Sequence, residues 1–221
     1  MSTILETFRS GGLVMVPLLL CSILAMAITI EKLVNLRLSR ILKSETIAAL
    51  HSFVERGQVE SALAFCRRQP GIFNNIIRQG FEHYSFGREE VKEAMLDAAR
   101  QQIPRLERYL GVLGTLAGVT PLLGLLGTVA GMIKVFNVIA EIGVGKADAL
   151  AAGISEALVT TVTGLVIAIP SLVMYNIFRG RAEAIVAELE RHSLDLVRRL
   201  FTYEQEADKR APQVDRPRAA P

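Results

Sequence analysis

A carboxylate heading a run of hydroxyls is the feature of this sequence best suited to chemistry. Residues 153–164 read GISEALVTTVTG. On a helix, Thr160 and Thr163 lie on the face of Glu156, four and seven positions further on, and Ser155, Thr161 and Gly164 widen the polar stripe. Two chemistries compete for such a stripe. Hydroxyls in an apolar helix most often bond back to their own backbone carbonyls. Below a carboxylate they can also line a wet path and relay protons through water. A charge inside a membrane helix costs about 2.5–3.5 kcal/mol and ordinarily faces a cavity or a partner. If the span began at residue 157, Glu156 would instead lie just outside the bilayer, with no such role.

The elements that hold this stripe follow from where the charges fall. Residues 11–30, 109–133 and 149–178 contain one charged side chain, Glu156, where a charged fraction of 21% spread evenly would place about 16. Runs of this length cross a bilayer core of about 30 Å as helices. A single soluble domain is therefore excluded as the default reading. A net charge of +3, no Trp and 6% aromatic residues give no argument for nucleic acid.

The sequence thus predicts an all-α integral membrane protein with three spans, at 12–31, 109–134 and 149–178. Ala25-Met26-Ala27 resembles a signal-peptidase site. However, Glu6 precedes the first run, and the run is long and continues past Ala27, so an anchor is expected. Lys32, Arg37, Arg40, Lys43, Arg100, Arg105, Arg108, Arg179 and Arg181 flank one side, against Arg9, Lys134 and Lys146 on the other. The positive-inside rule then places residues 1–11 and the loop 135–148 outside, and 32–108 and the C-terminus in the cytoplasm.

Span two carries Gly111, Gly114, Gly118, Gly124, Gly127 and Gly131, with small-xxx-small pairs at Gly114/Gly118 and Gly127/Gly131. This spacing lets helices approach closely. Pro121 in span two and Pro170 in span three are tolerable where neighbouring helices and Ser/Thr serve the freed carbonyls. So much glycine calls for other subunits to bury it. Residues 32–108 are read as helical, broken at Gly57, Pro70-Gly71 and Gly87, with good helix formers at 59–66 and 89–99. That segment is read as too polar for a large core of its own, and as packing on neighbours or extending the membrane helices. Ile185, Leu189, Leu196 and Leu200 suggest that the third span continues as a cytoplasmic helix over 179–209. The Pro-rich residues 210–221 read as a disordered tail.

Other chemistries are weak. Gly153-Ile154-Ser155-Glu156-Ala157 loosely matches a nucleophile elbow, but no strand precedes it and no His lies in a span. There is no phosphate-binding G-x-x-x-x-G-K-[ST]. Cys21 and Cys66 do not suggest a disulfide, and His51, His83 and His192 are isolated, so neither a metal nor a cofactor is expected. From the residues alone, a channel subunit, a passive scaffold and a small transporter remain open. A scaffold would tolerate Glu156→Ala, and a transporter would usually show internal repeats.

TPLLGLLGTVAGMI (120–133) and GISEALVTTVTGLVIAIPSLVMYN (153–176) closely resemble the proton-channel family of ExbB, TolQ and MotA. The large segment after span one resembles the ExbB and TolQ layout and fits the four-span MotA type poorly; the reading leans to ExbB. Thr120 stands where many members have Ala. The resemblance implies a homo-oligomer, in known members a pentamer, in the bacterial inner membrane. Its pore would hold an ExbD- or TolR-like dimer of single spans, each bearing an essential Asp. Proton flow would then drive a TonB- or TolA-like protein. The resemblance also implies that Glu156 matches the pore carboxylate and that Thr128 and Thr161 match the pore hydroxyls. Thr161, five positions from Glu156, falls on the flank of the stripe, and Thr160 is the nearer neighbour on an ideal helix.

Overall fold

The computed structural model describes residues 12–143 and 147–210. The expectations for residues 1–11 and 211–221, and the outer charges Arg9 and Lys146, lie outside the described residues. All regular structure among the described residues is helical, and the chain divides into two compact units.

The first unit comprises residues up to Asn35 and Glu107–Arg181. It contains α1 (Met15–Asn35), α8 (Leu110–Ile142) and the first part of α9 (Ala147–Arg210). Pro17 sits in the first turn of α1, where its missing N–H costs no intrahelical bond. α1 packs against α8. Three helical stretches are long and apolar enough to cross a membrane, lying in α1, α8 and α9. Leu20, Leu122, Val166 and Ile169 are exposed on them. Outward apolar side chains on long helices suit a lipid or oligomer environment. α8 does not stop at residue 134 but runs to Ile142, where Gly143 closes it at φ 71° and donates its N–H to the Ile139 carbonyl at 2.9 Å. That left-handed cap is one glycine provides without strain. Residues 143–146 therefore separate α8 from α9.

The second unit comprises Leu36–Leu106 and the chain from Ala182 onward. Its short helices are α2 (Leu38–Ile41), α3 (Ser44–Glu55), α4 (Val59–Arg68), α5 (Ile72–Glu82), α6 (Arg88–Arg100) and α7 (Ile103–Leu106). Gly57, Pro70-Gly71 and Gly87 fall between helices, as the sequence indicates. Gly57 has φ 68°, and a Cβ there would meet the Tyr203 ring at 2.7 Å. The breaks near Leu36 and Leu42 have no glycine or proline to announce them; both leucines turn into the interior. The segment also has more core than its polarity suggested. Phe73, Ile76, Ile77 and Phe81 are spaced along one face of α5 and are buried. Leu189, Leu196 and Leu200 of α9 are fully buried on the same unit, and Phe73 meets His192 edge-on with ring centroids 6.3 Å apart. Burial also pushes the Cys66 thiol up to about 12, so it stays protonated.

One titratable cluster ties α3 to α9. His51 Nε2 is buried, without a hydrogen bond, 3.8 Å from Asp195 Oδ2. Burial, then the Arg199 guanidinium, holds the imidazole below its usual value of 6.5; Asp195 and Glu55 pull upward and His192 pulls downward. Arg199 donates to Asp195 at 2.9 Å and to Glu55 at 3.1 Å, and the first bond holds the Asp195 carboxyl below its usual range. A histidine depressed in the folded state leaves the unfolded chain binding the extra proton. Stability is then lost as pH falls through about 6.5. Asp195 adds a loss of the same sign nearer pH 4. The thermal midpoint is expected to drop between about pH 7.5 and 5.5, and His51→Gln should flatten that part of the curve. An unchanged curve in the variant contradicts the assignment.

Candidate functional site

Glycine sets how closely α8 and α9 approach within the first unit. A Cβ on Gly124 would stand 3.0 Å from Thr161 Cα, one on Gly131 2.9 Å from Ala157 Cβ, and one on Gly164 2.6 Å from the Thr120 carbonyl oxygen. Gly127 faces the Thr160 side chain, and Gly114 lies against the Tyr175 ring, where a Cβ would be 3.1 Å away. The two helices therefore run antiparallel with their backbones nearly touching, the arrangement that small residues permit. Gly118 differs: a Cβ there would meet nothing within 4 Å in this chain. Thr120 donates to the Leu116 carbonyl and Ser171 to that of Ile167, both at 2.7 Å. These acceptors neighbour the carbonyls of Ala117 and Val166, which Pro121 and Pro170 leave without a helical donor.

Most hydroxyls of the stripe bond back to their own helix. Thr160 is 1% exposed and donates to the Ala157 carbonyl at 2.8 Å and the Glu156 carbonyl at 3.3 Å. Thr163 reaches Val159 at 2.8 Å, and Thr128 reaches Leu125 at 2.6 Å. Thr161 is the one that crosses the seam: its hydroxyl donates to the Gly124 carbonyl of α8 at 3.0 Å. The flank position read from the ideal helix is what turns it toward α8. Thr161→Val is expected to weaken the helix pair by about 1 kcal/mol. Thr160→Val, which loses only intrahelical bonds, should change stability little. Equal losses in the two variants, measured by denaturant titration of the detergent-solubilised protein, contradict this division.

Glu156 sits where the seam nears the Gly143 turn, and it is not alone. Lys134 of α8 donates to Glu156 Oε1 at 2.5 Å. The Glu156 side chain is 22% exposed and that of Lys134 57%. Gly12, at φ 65°, closes over the pair: a Cβ there would overlap Glu156 Oε1 and lie 3.5 Å from Lys134 Nζ. The sequence reading used Lys134 only as a flanking charge and passed over Gly12. One signal was available, because Lys134 is the charge that ends the second apolar run and Glu156 lies early in the third, which an antiparallel pairing of the two runs brings together. Among the described residues no group of three His, Cys, Asp or Glu side chains is placed to hold a metal ion. The arrangement offers a carboxylate, its counter-charge and a row of hydroxyls along a tight helix pair.

Residues 68–191, which include the whole seam, match the MotA/TolQ/ExbB proton channel family. The chain belongs to that family. It is 32% identical over 191 residues to a putative biopolymer transport protein ExbB homolog of Methanothermobacter thermautotrophicus, covering 85% of this chain and 67% of the relative. It is 32% identical over 203 residues to the putative biopolymer transport protein ExbB-like 3 of Synechocystis, covering 87% and 93%. The Tol-Pal system protein TolQ of Pseudomonas aeruginosa is 29% identical over 120 residues, covering 54% of this chain and 48% of TolQ. This member of the proton channel family is thus a membrane protein and an ExbB/TolQ-type channel subunit, with Glu156, Thr128, Thr160, Thr161 and Lys134 all inside the matched segment.

Proposed function

We propose that the chain is the ring-forming subunit of an inner-membrane motor that couples the proton motive force to work at the outer membrane. In this reading its N-terminus is outside and its C-terminus is cytoplasmic. Five copies surround the single spans of an ExbD- or TolR-like dimer, and protons pass by way of Glu156 with Thr128, Thr160 and Thr161 along the path. One observation carries the reading: the only charged side chain of the apolar runs 11–30, 109–133 and 149–178 stands at the α8/α9 seam, within the family's matched segment. A proton falling through 100 mV releases about 2.3 kcal/mol. Protonation of the partner's carboxylate, with Glu156 as relay or electrostatic gate, removes a buried charge and frees the inner dimer to turn or shift against the ring. A TonB- or TolA-like protein then carries the motion outward.

The exposed apolar faces of α1, α8 and α9 support an oligomer, since a lone chain leaves them without protein partners. Native mass measurement of the complex purified from its own membranes is the test. Five copies with two single-span subunits are expected, and a particle of this chain alone overturns the partner assignment. The relative named for the Tol-Pal system keeps a second role in view. Loss of the chain should impair energised uptake if the role is ExbB-like, and should sensitise the envelope to detergent if it is TolQ-like.

A further inference from the structure

We propose that Lys134 is a latch on Glu156, holding the carboxylate out of the proton path until the ion pair opens. The inference rests on the reading of Glu156 as a proton-carrying group and adds a positioning residue to it. Lys134 Nζ stands 2.5 Å from Glu156 Oε1, and a relayed proton bound for that side of the carboxylate competes with the ammonium for the same lone-pair sites. The pair is also electrically neutral as a whole, which eases the presence of a carboxylate beside an otherwise uncharged span.

The geometry suits a latch better than a fixed strut. The Lys134 side chain is 57% exposed, on a flexible four-carbon stem, whereas Glu156 at 22% is held at the seam. The cation can swing away while the carboxylate stays. Gly12 covers the pair so tightly that any side chain there would displace the carboxylate, so the closed state is sterically defined from the residues just before α1 as well. The energies are matched too. An exposed ion pair holds by a factor of about five. One proton falling through 100 mV supplies a factor of about fifty. The driving force thus exceeds the latch, so the ion pair slows the flux about fivefold without stopping it.

The test uses the complex purified from its own membranes and reconstituted in phosphatidylethanolamine–phosphatidylglycerol vesicles. A trapped pH dye reports proton flux under a potassium diffusion potential. Lys134→Gln is expected to raise resting flux about fivefold. Lys134→Arg should restore the wild-type rate, and Lys134→Gln combined with Glu156→Gln should show no more flux than Glu156→Gln alone. Should Lys134→Gln assemble poorly, Lys134→Met, which keeps the stem and lacks the charge, replaces it. Wild-type flux in the neutral variants, or a leak in Lys134→Arg equal to theirs, overturns the latch alone, provided Glu156→Gln still abolishes flux. A leak that survives Glu156→Gln overturns both the latch and the reading of Glu156 beneath it.

Discussion

Gly164→Val is expected to force α8 and α9 apart and to lower the stability of the assembled protein by about 3 kcal/mol, the upper part of the range for overpacking. The size of the effect comes from what the new side chain meets. Its Cβ would lie 2.6 Å from the Thr120 carbonyl oxygen and 3.2 Å from Gly124 Cα. Both are backbone atoms of α8, with no rotamer into which they can retreat. Relief requires moving a whole helix, and that movement also breaks the Thr161–Gly124 hydrogen bond and unseats Thr160 from Gly127. Gly118→Ala supplies the control, because it adds a methyl into open space in this chain and should gain up to about 1 kcal/mol of helix propensity. Thermal and denaturant midpoints of the detergent-solubilised complex check both. If Gly164→Val is as stable as the unmodified protein, the seam is not the contact that holds these helices together. If Gly118→Ala disrupts the oligomer while leaving the subunit folded, the Gly118 face is packed by another copy.

Glu156→Gln should reduce energised work to the level of a strain lacking the protein, with the complex recovered in normal amount and mass. Glutamine preserves the shape of the side chain and its capacity to accept a hydrogen bond from Lys134. It cannot gain or lose the proton on which relay depends. Because the Glu156 side chain is only half-buried and the substitution creates no cavity, a collapse of the fold is not expected. Glu156→Asp should fall between the two, since a carboxylate shortened by one methylene can still carry the proton, but from a displaced position. Proton-dependent outer-membrane uptake, with envelope resistance to detergent measured alongside, reads the result. Full activity in Glu156→Gln contradicts a proton-carrying role.

Much of this was legible in the sequence because it depends on local pattern. The segregation of charge marks the three long apolar helices without any tertiary information. Gly57, Pro70-Gly71 and Gly87 punctuate the short helices because each interrupts a helical run directly, and the Ile185-Leu189-Leu196-Leu200 spacing marks the buried face of α9. Other features depend on register between helices, which no periodicity reveals. Gly164 looked like part of a polar stripe, yet its role in the fold is to let Thr120 of α8 come close. Lys134 looked like a flanking charge until the antiparallel packing of α8 and α9 brought it opposite Glu156. Leu36 and Leu42 are buried where the chain breaks, and neither break carries the glycine or proline that would have marked it in the sequence. An ideal helix puts Thr161 on the flank of the stripe, but what its hydroxyl reaches, the Gly124 carbonyl, needed the second helix.

The central claim is that protons cross the membrane by way of Glu156. The most direct measurement is proton flux through the purified complex in vesicles under an imposed membrane potential, comparing the unmodified protein with Glu156→Gln. The account requires flux that rises with the potential in the unmodified complex and falls to that of empty vesicles in the variant. Equal flux in the two proteins would contradict it.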